Sequence, residues 1–228
     1  MKKKGSPDFM PRTALSTQRV LETAVTLADD IGIAALSMRK LGETLGVEAM
    51  ALYRHVANKD AILDGIVDIV AGEFEVPVIG GNWKASMRRR SISAHQALVR
   101  HPWATMLIVS RANVGPAMLR YVDATIGCLV EAGFSYPAAD HAWNAIDSYV
   151  YGFTLQKLNF PFEPKEYAQA AAGFLHMIPA DRFPHLNGMS RQVIDGRHDG
   201  LHDFEFGLDL ILNGLDKRRR ATAGHAPA

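Results

Sequence analysis

Apolar residues recur at helical spacing along nearly the whole chain. Val20, Leu21, Ala24, Leu27, Ala28 and Ile31 repeat on one side of a helix that Ser16 can cap and Gly32 ends. Met38, Leu41 and Leu45 mark a second helix between Ser37 and Gly46. A short third segment follows, then Asn58 caps a longer fourth helix through Ile62, Ile66, Val70 and Phe74. Pro77, Gly80 and Gly81 break the chain there. Alternating strand patterns, internal repeats and low-complexity segments are absent, so the pattern predicts an all-α fold.

Beyond the break the same period continues. Trp83, Met87, Ala94 and Leu98 line one helix, and Pro102 can open a short one with Trp103, Met106 and Leu107. Leu119, Val122, Ile126 and Leu129 line another, which Gly133 stops. The next helix, roughly 138–158, carries Trp143, Ile146, Tyr149, Val150, Phe153 and Leu155 almost all around, which predicts a central position. Asn144, Asp147 and Thr154 interrupt it; such groups either bond each other in the core or face a pocket. From Ile178 to Gly200 the pattern turns irregular and predicts a surface loop carrying a short helix. The final helix has a broad apolar side of Phe204, Leu208, Ile211, Leu212 and Leu215. A second side carries Phe206 and Leu210 near Gly207 and Gly214, which suits either a partner chain approaching the glycines or full burial in a monomer. Lys217, Arg218, Arg219 and Arg220 suit the negative end of that helix's dipole.

Composition narrows the class. Of 228 residues, 48% are hydrophobic and 21% charged, enough for a core that needs no staples. Cys128 stands alone, so no intrachain disulfide forms, which fits a reducing, cytoplasmic setting. No apolar run follows Lys2, Lys3 and Lys4, so no signal peptide is expected, and no run is long enough for a membrane span. A net charge of +1 leaves the partner open, but the stretch from Met1 to Lys59 has nine Lys plus Arg against six Asp plus Glu.

The third segment, "GVEAMALYRHVANKD", carries the candidate chemistry of this region. On a helical wheel Ala49, Leu52 and Val56 fall on one side, Met50, Ala51 and Arg54 on the other, with His55 beside them and Tyr53 on the border. The outer side is low in profile and carries a guanidinium, an imidazole and a phenol. A helix of that kind fits the DNA major groove, where Arg forks to guanine and Tyr or His bonds phosphate. Lys59 then sits at the next helix N-terminus, where amides and ammonium meet a phosphate together. The helix, glycine, helix layout from Ser37 to His55 reads as a helix-turn-helix, against the plainer reading of a three-helix packing corner.

Other chemistries find little support. His198 and His202 are four apart but flank Gly200 and lack a third ligand, so no metal site is expected. There is no nucleophile elbow or phosphate-binding glycine loop, and no cofactor is implied. Asp29 and Asp30, the nearest approach to a carboxylate pair, are expected to be solvated at a helix end.

The stretch "LSMRKLGETLGVEAMALYRHVANKDAIL" resembles the DNA-binding domain of the tetracycline-repressor family, and "FEFGLDLILNGL" resembles the last helix of its C-terminal domain. The resemblance implies a flexible tail over 1–15, a helix-turn-helix domain over 16–60 and a connecting helix and linker over 61–81. A ligand-binding and dimerisation domain over 82–220 and a tail over 221–228 complete the division. It implies DNA contacts at Ser37, Arg39, Ala49, Met50, Ala51, Tyr53, Arg54, His55 and Lys59. Ala49 and Ala51 depart from polar residues in the tetracycline repressor and offer only methyl groups, so the operator should differ. The positions matching that protein's magnesium and drug ligands, Ala71, Arg90, Ala94, Ile108 and Phe160, lack the ligating chemistry, and tetracycline and magnesium are not carried over. An apolar, metal-independent pocket is expected instead from Met87, Arg90, Trp103, Met118, Trp143, Asp147, Tyr151 and Thr154. Phe206, Leu210 and Gly214 are the expected dimer contacts. The function implied is a homodimeric regulator, a repressor that reads near-palindromic double-stranded DNA and is released by a small-molecule effector. The alternative is an all-helical enzyme or ligand-binding protein that does not bind DNA.

Overall fold

The computed structural model describes residues 14–162, 166–199 and 203–223, and it is helical with no strand among them. The expected tail over 1–15, apart from its last two residues, lies outside the described residues, as does His202. The first helix, α1, spans Thr17–Ile31; Ser16 Oγ accepts from the Arg19 amide at 3.2 Å. Gly32, at φ 80°, turns the chain out of α1 into a 3-10 turn, Ile33–Ala35, that the periodicity did not reveal. The second, α2, spans Met38–Leu45 and is capped by Ser37. The short α3 spans Ala49–Leu52, and α4 spans Lys59–Ala71 behind its Asn58 cap.

The body follows as α5 (Trp83–Arg100), α6 (Ala104–Ser110), α7 (Pro116–Glu131) and α8 (Tyr136–Leu158). Then come α9 (Tyr167–Phe174), α10 (Pro184–Ile194) and α11 (Phe204–Ala223). One apolar cluster runs from Val20 in α1 to Leu212 in α11, with α4 shared: it packs on α1 and also on α5, α6 and α7. Its buried residues Ile62, Ile66, Val67 and Val70 therefore belong to both parts of the chain.

Three expectations need correction. Helix α8 is not surrounded by core: Ala139, Ala142, Ile146, Val150 and Thr154 are buried, while His141, Asn144, Ala145, Ser148 and Gly152 form an exposed face of small or polar groups. Trp143, Tyr149, Tyr151 and Phe153 flank the buried stripe and are half-buried, so their number overstated the burial. Second, the short helix expected within 178–200 is present as the eleven-residue α10, but it packs chiefly on α9, a helix that the pattern did not reveal. This pair leaves Phe174, Met177, Phe183, Leu186 and Met189 exposed. Third, α11 runs to Ala223, past the expected boundary at Arg220, with Asp216 pairing Arg219 at 2.9 Å and Arg220 at 2.7 Å.

Candidate DNA-reading surface and effector centre

Helices α2 and α3 meet closely because Gly42 has no side chain. A Cβ there would lie 2.9 Å from the Val47 carbonyl oxygen and 3.2 Å from the Ala49 amide. Gly46, at φ 68°, makes the turn between the two helices. Of the three residues that the wheel places inward, Leu52 and Val56 are buried and Ala49 is half-buried; Leu41 of α2 is buried as well. Thr17 Oγ1 donates to the His55 carbonyl at 2.9 Å and pins the end of α3 to α1.

None of the nine expected DNA-contact residues is buried. Met50 is 74% exposed and Tyr53 45%, Arg54 and Lys59 are exposed, and Ala49, Ala51 and His55 are half-buried. Arg39 projects into solvent with only a loose 3.8 Å approach to Glu43. Ser37 is exposed and spends its acceptor on the Lys40 amide, while its O–H can still donate. The unit therefore offers cations and small residues outward from a rigid base.

The expected effector residues do not form one cluster; they divide among four places. Arg90, Met87, Trp143, Asp147 and Tyr151 come together. Arg90 is fully buried, with Nη2 2.7 Å from Asp147 Oδ1 and Nη1 2.6 Å from the Tyr121 hydroxyl. Trp143 Nε1 donates to Asp147 Oδ2 at 2.6 Å, and the Tyr151 hydroxyl reaches the same oxygen at 3.4 Å. Burial disfavours the charge on Arg90, but Asp147 and Tyr121 outweigh it and raise its pKa. Burial pushes the Tyr121 phenol up to about 12 and holds the Tyr151 phenol well above its usual value, so both stay neutral. In this conformation the Asp147 carboxylate is satisfied by protein partners.

Trp103 lies elsewhere, contrary to its expected place beside Trp143. Its indole donates to Asp29 Oδ1 at 2.7 Å, and His101 Nδ1 lies 2.9 Å from the same carboxylate oxygen. Asp29 is thus engaged rather than solvated. Thr154 also turns away, toward α5 and α11: it donates to the Val150 carbonyl at 2.6 Å and sits 2.8 Å from His95 Nδ1. Met118 belongs to the joint of α4 and α7, where its amide donates to Asp68 Oδ1 at 2.9 Å. Its side chain borders a cavity of about 30 Å³ shared with Asp64, Asp68 and Asn113, room for one water.

Sequence reasoning missed Tyr121, His95 and Thr105. The helical period hides Tyr121 and His95 on core faces. Thr105 Oγ1 and Asn113 Oδ1 are buried without a hydrogen-bond partner among the described residues, and both belong to α6 or its exit. A buried orphan hydroxyl carries a desolvation cost that a ligand or water can remove.

On α11, Phe206 is 67% exposed, Leu210 59%, and a Cβ added at Gly214 would meet nothing within 4 Å. Gly207 serves the subunit itself, not a partner. A Cβ there would collide with the Tyr149 side chain, whose hydroxyl donates to the Phe204 carbonyl at 2.9 Å.

A helix-turn-helix head with an outward basic face, continuous with a larger helical body, defines a DNA-binding transcriptional regulator. Residues 20–66 match the model of bacterial regulatory proteins of the tetR family, and residues 77–219 match the tetracyclin repressor-like C-terminal domain. An HTH-type transcriptional regulator of Saccharopolyspora erythraea is 35% identical, covering 96% of this chain and 91% of its own. The HTH-type transcriptional repressor DrrR1 of Streptomyces coeruleorubidus is 30% identical over 92% of this chain and 80% of its own. The structure of ActR from Streptomyces coelicolor in complex with actinorhodin aligns with a TM-score of 0.77 at 28% identity, over 91% of this chain and 99% of that one. The chain belongs to the tetR family of transcriptional regulators. No helix among the described residues is long and apolar enough to cross a membrane.

Proposed function

We propose a cytoplasmic homodimeric repressor that binds a near-palindromic operator and is released by a mainly apolar aromatic small molecule, without a metal and without catalysis. The observation that carries DNA reading is the exposed set Arg39, Met50, Tyr53, Arg54 and Lys59 on a head closed by Gly42. Dimerisation is supported by Phe206 and Leu210, apolar and exposed on α11 beside the exposed Ala145, Ser148 and Gly152 of α8. Pairing these two helices with their copies would cover side chains that a lone subunit leaves wet.

An aromatic effector is supported by ActR relatives solved with actinorhodin and with (S)-DNPA. It is also supported by the half-buried Trp143 and Tyr151 and by the orphan hydroxyl of Thr105. Ala71, Arg90, Ala94, Ile108 and Phe160 offer no metal-ligating set. The satisfied Arg90 and Asp147 pair serves as the polar floor of that region, not as a vacant ligand group.

Selection of duplexes from a random pool by the full-length protein tests the reading. The expected result is a two-fold site with half-site centres about 34–36 Å apart, or a multiple of that. A pool that shows no enrichment would overturn it. Hydrophobic aromatic compounds should then lower affinity for the selected duplex without added magnesium.

A further inference from the structure

The corner where α5 ends and α6 begins touches the chain near the ends of α1 and α4, and one side chain makes both contacts. His101 is nearly buried, with Nδ1 2.9 Å and 3.0 Å from the two oxygens of Asp29, near the end of α1. Its other nitrogen, Nε2, lies 3.1 Å from Glu73 Oε1, just past the end of α4. The neighbours complete the arrangement: Trp103 donates to Asp29 at 2.7 Å and Arg100 to Glu73 at 2.6 Å. Asp29 and Glu73 are the charged groups facing the ring from α1 and α4, and Arg100 is the one from α5.

We propose that His101 is a positioning residue for DNA binding and that its bridge between Asp29 and Glu73 makes operator affinity rise as pH falls. The proposal rests on the DNA-binding reading above. A neutral imidazole has one N–H and one lone pair, so between two carboxylates it donates to one and presents its lone pair to the other. The doubly protonated ring donates to both. Uptake of that proton completes the bridge and holds the ends of α1 and α4 in register on the body. A dimer must present two recognition helices at one spacing, so angular play in either head is freedom lost on binding. Removing the play beforehand tightens binding without a new DNA contact.

Asp29→Asn separates this role from simple stabilisation. The asparagine amide can donate to the lone pair of a neutral His101, while its oxygen still accepts from Trp103. The bridge is then complete without the extra proton. In His101→Gln one flexible amide replaces the ring and cannot span both carboxylates.

The experiment measures binding of a duplex selected by the wild-type protein, from about pH 8 to about pH 6, with both variants checked for fold by thermal melting. Wild type should gain roughly fivefold more affinity over that range than His101→Gln. Asp29→Asn should show the flatter profile too, yet bind more tightly than wild type at the alkaline end. Any pH dependence that arises at the DNA surface itself is common to all three proteins and cancels in the comparison. If His101→Gln does not fold, the Asp29→Asn comparison decides alone. Parallel pH profiles for the folded proteins overturn the bridge while leaving the regulator reading intact. Failure of the wild type to select any duplex removes both.

Discussion

Arg90 Nη2 meets Asp147 Oδ1 at 2.7 Å, and the guanidinium side of that pair is wholly closed to solvent. Taking one partner away leaves a charge where water does not reach. Asp147→Leu should therefore cost about 3–5 kcal/mol, whereas Arg90→Met with Asp147→Leu together should recover most of the loss. Urea titrations of the two variants check this. A double variant no more stable than the single one would show that the pair contributes more than its own charge balance.

At the DNA surface, Arg54→Ala and Arg39→Ala should leave the melting temperature unchanged, since both side chains are exposed. Operator affinity should fall by about 1–3 kcal/mol where a base contact is lost. For a phosphate contact the salt dependence should become shallower by about one unit of slope. Filter-binding or anisotropy titrations at several salt concentrations separate the two cases. Wild-type titrations from both variants would count against the helix-turn-helix surface.

Leu210→Asp should yield a folded monomer. The side chain is 59% exposed in the subunit, so the new charge meets water and not the core. In a dimer the same carboxylate would be buried opposite its copy. Sedimentation velocity reads the outcome, and a persistent dimer would move the interface away from this face.

Acid should weaken the fold through His95. Burial, with a smaller contribution from Lys157, lowers its pKa from 6.5 to about 4 in the folded chain. The folded state therefore refuses a proton that the unfolded chain accepts. The associated stability is complete above pH 6.5 and is lost as pH falls toward about 4. The loss approaches about 2–3 kcal/mol. His95→Gln should remove this part of the acid sensitivity, measured as the difference in unfolding free energy between neutral and acidic buffer. An unchanged difference would place the acid sensitivity elsewhere.

Local rules carried much of the fold into view. Ser16, Ser37 and Asn58 cap the helices that their positions foretell, and Gly32 and Gly46 take the positive φ that ends a helix. The outward face of α3 follows from a wheel because Leu52 and Val56 anchor the other side. The effector centre was less legible for a physical reason. Trp103 and Asp29 are 74 positions apart, and nothing in either local pattern says that an indole will find that carboxylate. Trp143 and Asp147 are four apart on one helix, and there the expected proximity is observed. Helix α9 escaped notice because it has no buried residue, so no apolar stripe advertises it.

The sharing of α4 between head and body limits how this protein can be recombined. Cut at residue 60, the head would leave behind Ile62, Ile66 and Val70, the side chains that close its own base. A chimera that grafts this DNA-reading unit onto a foreign sensor must therefore carry α4 with it. The recipient must in turn offer a cradle shaped like the one α5, α6 and α7 provide here. Exchange of operator specificity by transplanting a short segment is better served by α3 alone, whose outward residues can be rewritten without disturbing that seam.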